Sequence, residues 1–213
     1  MLQWTSTNAQ SARLRILITG MSSGLGRALA EAAVAAGHDV IGTVRRIEDK
    51  EALEAALGRR TRGHPRRHRF RCVCSGRRRD SKRPRPNDVL VNNAGYGHEG
   101  VVEESSLDEL RRQFDVNVFG AVAMIKAVLP SMRERRSGHI INVTSMGGYV
   151  SFPGVAYYCG SKFALEGISG SLALEVRDLG ISSFFEPIRY ARIERHGNQI
   201  GDPQRAAQVF SAS

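Results

Sequence analysis

The sequence has no uninterrupted run of about eighteen apolar residues, so no stretch reads as a membrane-spanning helix. Its first ten residues, Met1 to Gln10, lack the basic stretch and the apolar stretch of a secretory leader, and a cytoplasmic location is expected. Cysteine is scarce. Cys72, Cys74 and Cys159 are too few, and odd in number, to frame a 213-residue chain with disulfides, which suits a reducing compartment and makes the Asn142-Val-Thr144 sequon incidental. Acidic residues are in deficit, 21 against 31 basic, for a net charge of +10. No internal repeat and no linker divides the chain, and 41% apolar content is enough to bury a core, so one domain over residues 1–213 is expected.

The excess charge lies in one place. Residues 59–85 hold twelve Arg and Lys82 against the single acid Asp80, which leaves 18 basic and 20 acidic groups, net −2, on the rest of the chain. A nucleic-acid-binding domain spreads basic groups over a face with polar and aromatic residues between them, a pattern missing here. The segment shows neither helical nor alternating periodicity, and Phe70 and Val73 are too little apolar surface to offset ordering entropy, so it reads as a poorly ordered insert. Within it His64, His68, Cys72 and Cys74 could ligate zinc, but seven Arg between 59 and 71 repel a dication and no flanking core would hold the site, so no metal is expected.

Elsewhere strands and helices alternate. Leu14 to Ile18 is an aliphatic run that ends at Thr19-Gly20, and the Ala-rich stretch Gly24 to Ala36 is helical and closes at Gly37. Val40 to Val44 is a second strand, followed by a helix over Glu48 to Leu57. Val89 to Val91 is a buried strand, and Ser106 to Glu109 is a capping box that opens a long helix toward Leu129, before Pro130. His139 to Val143 is a strand, Tyr157 to Leu179 a long helix and Ile181 to Phe185 a last strand. Such alternation implies an α/β fold, a parallel sheet covered by helices on both faces.

Two patterns carry chemistry. Thr19-Gly20-Met21-Ser22-Ser23-Gly24-Leu25-Gly26 sets three glycines between a strand and a helix, where backbone N–H groups and the helix dipole can meet a pyrophosphate. Tyr158-Cys-Gly-Ser-Lys162 places a phenol and an ammonium on one helical face, where the cation should lower the phenol's pKa and equip it as a general acid and base.

Together with Asn92-Asn93-Ala94-Gly95, Asn117 and Ser145, these motifs resemble the set of the classical short-chain dehydrogenase/reductase family. The resemblance covers residues 14–58 and 87–187 and implies a doubly wound parallel sheet of Rossmann type and a nicotinamide-dependent reaction on a small-molecule alcohol or carbonyl. It implies that Tyr158 transfers the substrate proton, Lys162 holds the nicotinamide ribose and Ser145 hydrogen-bonds the substrate oxygen. Asn117 would help hold a water that connects the lysine to solvent, and Asn93, Ala94 and Gly95 would border the adenosine. Cofactor choice rests on Arg45 and Arg46, which follow the second strand where an acid would select NAD(H), so NADP(H) is expected over NAD(H). Family subunits pair through the two long helices, which implies a homodimer or homotetramer.

The sequence departs from the family twice. Between Leu57 and Val89 the third strand and its helix are not found, and residues 59–86 have the Arg- and Pro-rich composition that out-of-frame translation of GC-rich DNA yields. After Phe184-Phe-Glu-Pro187 comes Ile188 in place of the family's glycine, and the chain reaches Ser213 without the usual substrate-covering segment. Two rival functions follow: a remnant that binds cofactor without turnover, and a nucleic-acid-binding protein that uses the Arg-rich segment.

Overall fold

The computed structural model describes residues 13–58, 61–65 and 85–188. Six strands form one parallel sheet in the order β3-β2-β1-β4-β5-β6: β1 (Arg15–Ile18), β2 (Asp39–Val44), β3 (Thr61–Pro65), β4 (Val89–Asn92), β5 (Gly138–Ser145) and β6 (Ile181–Ile188). The helices are α1 (Gly24–Ala35), α2 (Ile47–Leu57), α3 (Leu107–Phe114), α4 (Gly120–Arg135) and α5 (Ala156–Val176).

Alternation along the strands sorts the core into two layers. Ile16, Ile18, Val89 and Val91 point to one face and pack with Leu29, Ala30 and Ala33 of α1 and Leu53 of α2. Leu17, Leu90 and Ile140 point to the other face and pack with Met124, Ile125, Val128 and Met132 of α4 and Leu172 and Val176 of α5. The sheet is thus covered on both sides. Its strand order reverses between β1 and β4, where the crevice at the carboxyl ends of the strands opens.

Two expectations are corrected. The third strand is present: Thr61 to Pro65 pairs with β2 in parallel register from Val40↔Thr61 to Val44↔Pro65. An edge strand needs little more than backbone pairing on one side, and Pro65, which has no N–H to give, sits at its end. The helix opened by Ser106 is not continuous, because Asp115–Phe119 is a π-helical turn between α3 and α4, and α4 runs through Pro130 to Arg135. The 29-residue helical run Leu107–Arg135 has the length and apolar content to cross a bilayer, although no run of apolar residues suggested it. Here its Met124, Ile125, Val128 and Met132 are buried in the core. The capping box forms, with Ser106 N donating to Glu109 Oε2 at 2.9 Å and Glu109 N donating to Ser106 Oγ at 3.3 Å. Residues 66–84, including His68, Cys72 and Cys74, and residues 189–213 lie outside the described residues.

Candidate active site

The glycine turn joins β1 to α1, and its neighbours fix its shape. Gly20 has φ +69° and Gly24 φ +56°, a region side chains avoid, and a Cβ on Gly20 would lie 3.0 Å from Ala94 Cα. A Cβ on Gly26 would overlap Gly20 O and Asn93 Nδ2. Asn93 Nδ2 donates to Thr19 O at 2.9 Å and Gly20 O at 3.0 Å, while Thr19 Oγ1 accepts from Asn93 N at 3.0 Å and Ala94 N at 2.9 Å. Gly20 N donates to Thr43 Oγ1 at 3.0 Å, which ties the turn to β2. The loops after β1 and β4 are therefore one unit.

This unit fits a dinucleotide. The positions next to the turn exclude side chains, α1 has no acidic residue in its first turn, and the Ser23 side chain caps none of its N–H groups. Unsatisfied N–H groups at a helix N-terminus suit a phosphate. Ser22, Ser23 and Leu25 line this turn, and Arg45 and Arg46 follow β2 as exposed side chains, with Arg46 at the N-cap of α2.

On the far side of the β4 loop, Asn117 sits in the π turn and is buried. Its Oδ1 accepts from Tyr96 N at 3.1 Å, and its Nδ2 donates to Tyr96 O at 3.0 Å and Ser161 Oγ at 3.0 Å. A π turn adds one residue to the helical repeat and recurs at functional sites. Here it joins the loop after Gly95 to α5. Asn92 belongs to a deeper network: its Nδ2 donates to Asn142 Oδ1 at 2.8 Å, and Asn142 Nδ2 donates to Ser169 Oγ at 2.8 Å.

Ser145 ends β5 and Tyr158 lies in the first turn of α5. The Tyr158 ring is slotted between two glycines, whose Cβ atoms would stand 3.5 Å (Gly97) and 3.3 Å (Gly147) from it. Gly147 N donates to Ser145 Oγ at 3.2 Å, so the Ser145 proton remains available to a neighbour. One turn on, Lys162 is buried, with Nζ donating to Val143 O at 2.9 Å and standing 5.8 Å from the Tyr158 ring centroid. A Cβ on Gly95 would be 3.7 Å from that Nζ.

The electrostatics correct a third expectation. Burial pushes the Tyr158 phenol above its ordinary value, Ser145 pulls it back by hydrogen bonding, and Cys159 adds to the rise. The net shift is upward despite the lysine on the same face, and the ammonium, whose Nζ donates to the Val143 carbonyl, is itself weakened: burial takes it down to about 8, against an opposing pull from Glu166. Glu166 is in turn raised by burial.

The sequence patterns gave no sign of Thr43, Asn142, Ser161, Ser169 or the tyrosine slot of Gly97 and Gly147. Their partners are distant in sequence, so no spacing reveals them.

The family model described as short chain dehydrogenase matches residues 78–183. The 3-ketodihydrosphingosine reductase of Bacteroides thetaiotaomicron is 41% identical over 167 residues, which cover 78% of this chain and 60% of that protein. A short-chain dehydrogenase structure from Streptomyces avermitilis is 35% identical, with TM-score 0.79, over 94% of this chain and 83% of that one. Similar structures include serine dehydrogenase in complex with NADP+ (28% identity, TM-score 0.75, 82% and 71% covered) and NAD+-bound xylitol dehydrogenase (25% identity, TM-score 0.70, 81% and 68% covered). The chain spans about 60% of the length of the curated relatives it matches. Fold, glycine turn and matched sequence agree: the chain belongs to the short-chain dehydrogenase family.

Proposed function

We propose that this chain is a cytoplasmic oxidoreductase that interconverts an alcohol and a carbonyl compound with NADP(H). The observation that carries the reading is the gathering of Ser145, Tyr158 and Lys162 at the carboxyl edge of the sheet, beside the glycine turn that fits a dinucleotide. A bound nicotinamide supplies or accepts the hydride. Tyr158 gives the proton to the substrate oxygen or takes it, and its raised pKa keeps the phenol protonated and suited to reduction. Ser145, whose oxygen is already engaged by Gly147 N, donates its own proton to the substrate oxygen. Lys162 holds the nicotinamide ribose. Asn117, its side chain committed to Tyr96 and Ser161, sets the loop after Gly95 against α5.

NADP(H) is favoured because two exposed guanidinium groups, Arg45 and Arg46, directly follow β2 where an acid would select NAD(H), although the solved relatives include complexes of both nucleotides. Exposed Leu107, Phe119, Phe163, Ile168 and Leu174 on the long helices support pairing of subunits as a homodimer or homotetramer.

The test is a thermal melt with each nucleotide, followed by NADPH oxidation over a panel of carbonyl compounds. Cofactor at about a hundred times its dissociation constant should stabilise the chain by about 2.7 kcal/mol. NADPH should raise the melt more than NADH, and replacing Arg45 and Arg46 by Glu should reverse the order. No response to either nucleotide would overturn the reading.

A further inference from the structure

Glu166 is the charged group near the site that the proposed reaction does not use. It follows Lys162 by four residues on α5, so both side chains lie on one face of the helix. On a solvated helix a lysine placed before a glutamate is the weaker order of such a pair. This pair is unevenly solvated, and Glu166 as a whole is half-buried. Lys162 is buried, and Glu166 Oε1 is sealed from solvent with no hydrogen-bond partner. A carboxyl oxygen left so is costly, and its persistence needs a reason.

The packing shows that the place is built for it. Glu166 lies under the turn that follows Ser145: a Cβ on Gly148 would stand 2.9 Å from Glu166 Cγ and 3.4 Å from its Oε1, so a side chain there would push the carboxyl aside. The hydroxyls of Thr144, on β5, and Tyr149, after the turn, both bear on the carboxyl and favour its charged form. Lys162 and Glu166 make no ion pair, since the lysine nitrogen goes to Val143 O. The carboxylate acts on the ammonium through its charge alone, against the effect of burial.

We propose that Glu166 is a positioning residue for Lys162, the counter-charge on the next helical turn that keeps the buried ammonium charged and aligned beside Tyr158. The inference rests on the reading of Lys162 given above, and it explains how a nitrogen so buried stays a cation near neutral pH. The titratable groups that act on Glu166 are Lys162 on α5 and Tyr149 after the turn. The described side chains of β6, Ile181 to Phe185, add none.

The test follows Lys162 itself. The chain has four lysines, so carbon-13 at lysine Cε resolves them by NMR, and K162M assigns the signal. In the parent protein the signal should titrate near 8. In E166Q, which keeps the shape and removes the charge, the midpoint should fall by about one pH unit, a tenfold loss of proton affinity. E166D should restore much of it. Should E166Q fail to fold, G148A, which pushes the carboxyl aside without removing it, should lower the midpoint in the same direction. The pH profile of kcat/KM should move with the midpoint, losing about tenfold on its alkaline side and little at pH 6.5. A Lys162 midpoint unmoved in E166Q, or in G148A should E166Q not fold, overturns the proposal whether or not the chain turns over substrate. Absence of turnover with a moved midpoint overturns the proposed function and leaves this inference standing.

Discussion

The two ends of the sheet use opposite chemistry. At the amino ends of the strands, charge is paired and close to water. Asp39 pairs with Arg13 and with Arg85, the latter at 3.2 Å, and Asp88 accepts from Arg15 N at 2.8 Å and Arg135 Nη1 at 3.0 Å, with Arg85 3.7 Å away. Arg135 also donates to Asn87 O at 2.8 Å, so this end stitches β1, β2, β4 and α4 together. At the carboxyl ends Lys162 is buried and Glu166 half-buried, the two form no ion pair, and the packing there is glycine backbone against aromatic ring and carbonyl. The first arrangement holds the fold. The second costs stability and keeps a lysine and a phenol in the unusual states a reaction can use.

The largest expected effect isolates the carboxyl end. Y158F removes only the hydroxyl from a ring that Gly97 and Gly147 already hold, so kcat should fall about a thousandfold. The melting temperature should stay within a degree or so, about the effect of a few tenths of a kcal/mol. A variant that unfolds early instead would mean the hydroxyl belongs to the scaffold, and the contrast between the ends would fail.

K162M sharpens the same contrast through pH. The folded-state pKa, about 8, lies below the ordinary 10.5, so between those values the unfolded chain binds more protons and stability rises with pH. The burial cost is therefore fully present below about 8 and relieved toward 10.5. K162M, free of that cost, should be more stable than the parent by about 2–3 kcal/mol at pH 7. The gap should close as pH climbs through this window. A gap that does not change with pH would show that Lys162 is charged and well solvated in the folded protein.

What could be read from the sequence follows the same division. Strands β1, β2, β4 and β5 are legible because Ile, Val and Leu are concentrated in them, and the capping box is legible because Ser106 and Glu109 act locally. The glycine turn and the Tyr158 to Lys162 spacing are legible because each is a short-range pattern. Strand β3 was not, since Thr-Arg-Gly-His-Pro has no strand composition and owes its state to the neighbouring backbone of β2. The π turn has no residue signature, and it was Asn117's bonds to Tyr96 that revealed its use. The direction of the Tyr158 shift failed for a related reason. Spacing places the ammonium on the right face but does not say that the phenol is buried.

The smallest expected effect tests the amino end. D88A removes an acceptor from Arg15 N and Arg135 while leaving both near water, which can replace part of what is lost. Stability should fall by about 1–2 kcal/mol, the scale of one charge-assisted hydrogen bond and a partly screened pair. Denaturant melts at low and high salt should show the ionic part shrinking with salt, because half-exposed charges are screened. Asp88 lies at the opposite end of the strands from Tyr158, so nucleotide affinity and kcat/KM should be unchanged at a temperature where the variant is folded. A D88A variant that keeps its stability but loses nucleotide binding would show that the two ends are coupled through β4, whose first residue follows Asp88 and whose last, Asn92, precedes the loop bound to the glycine turn.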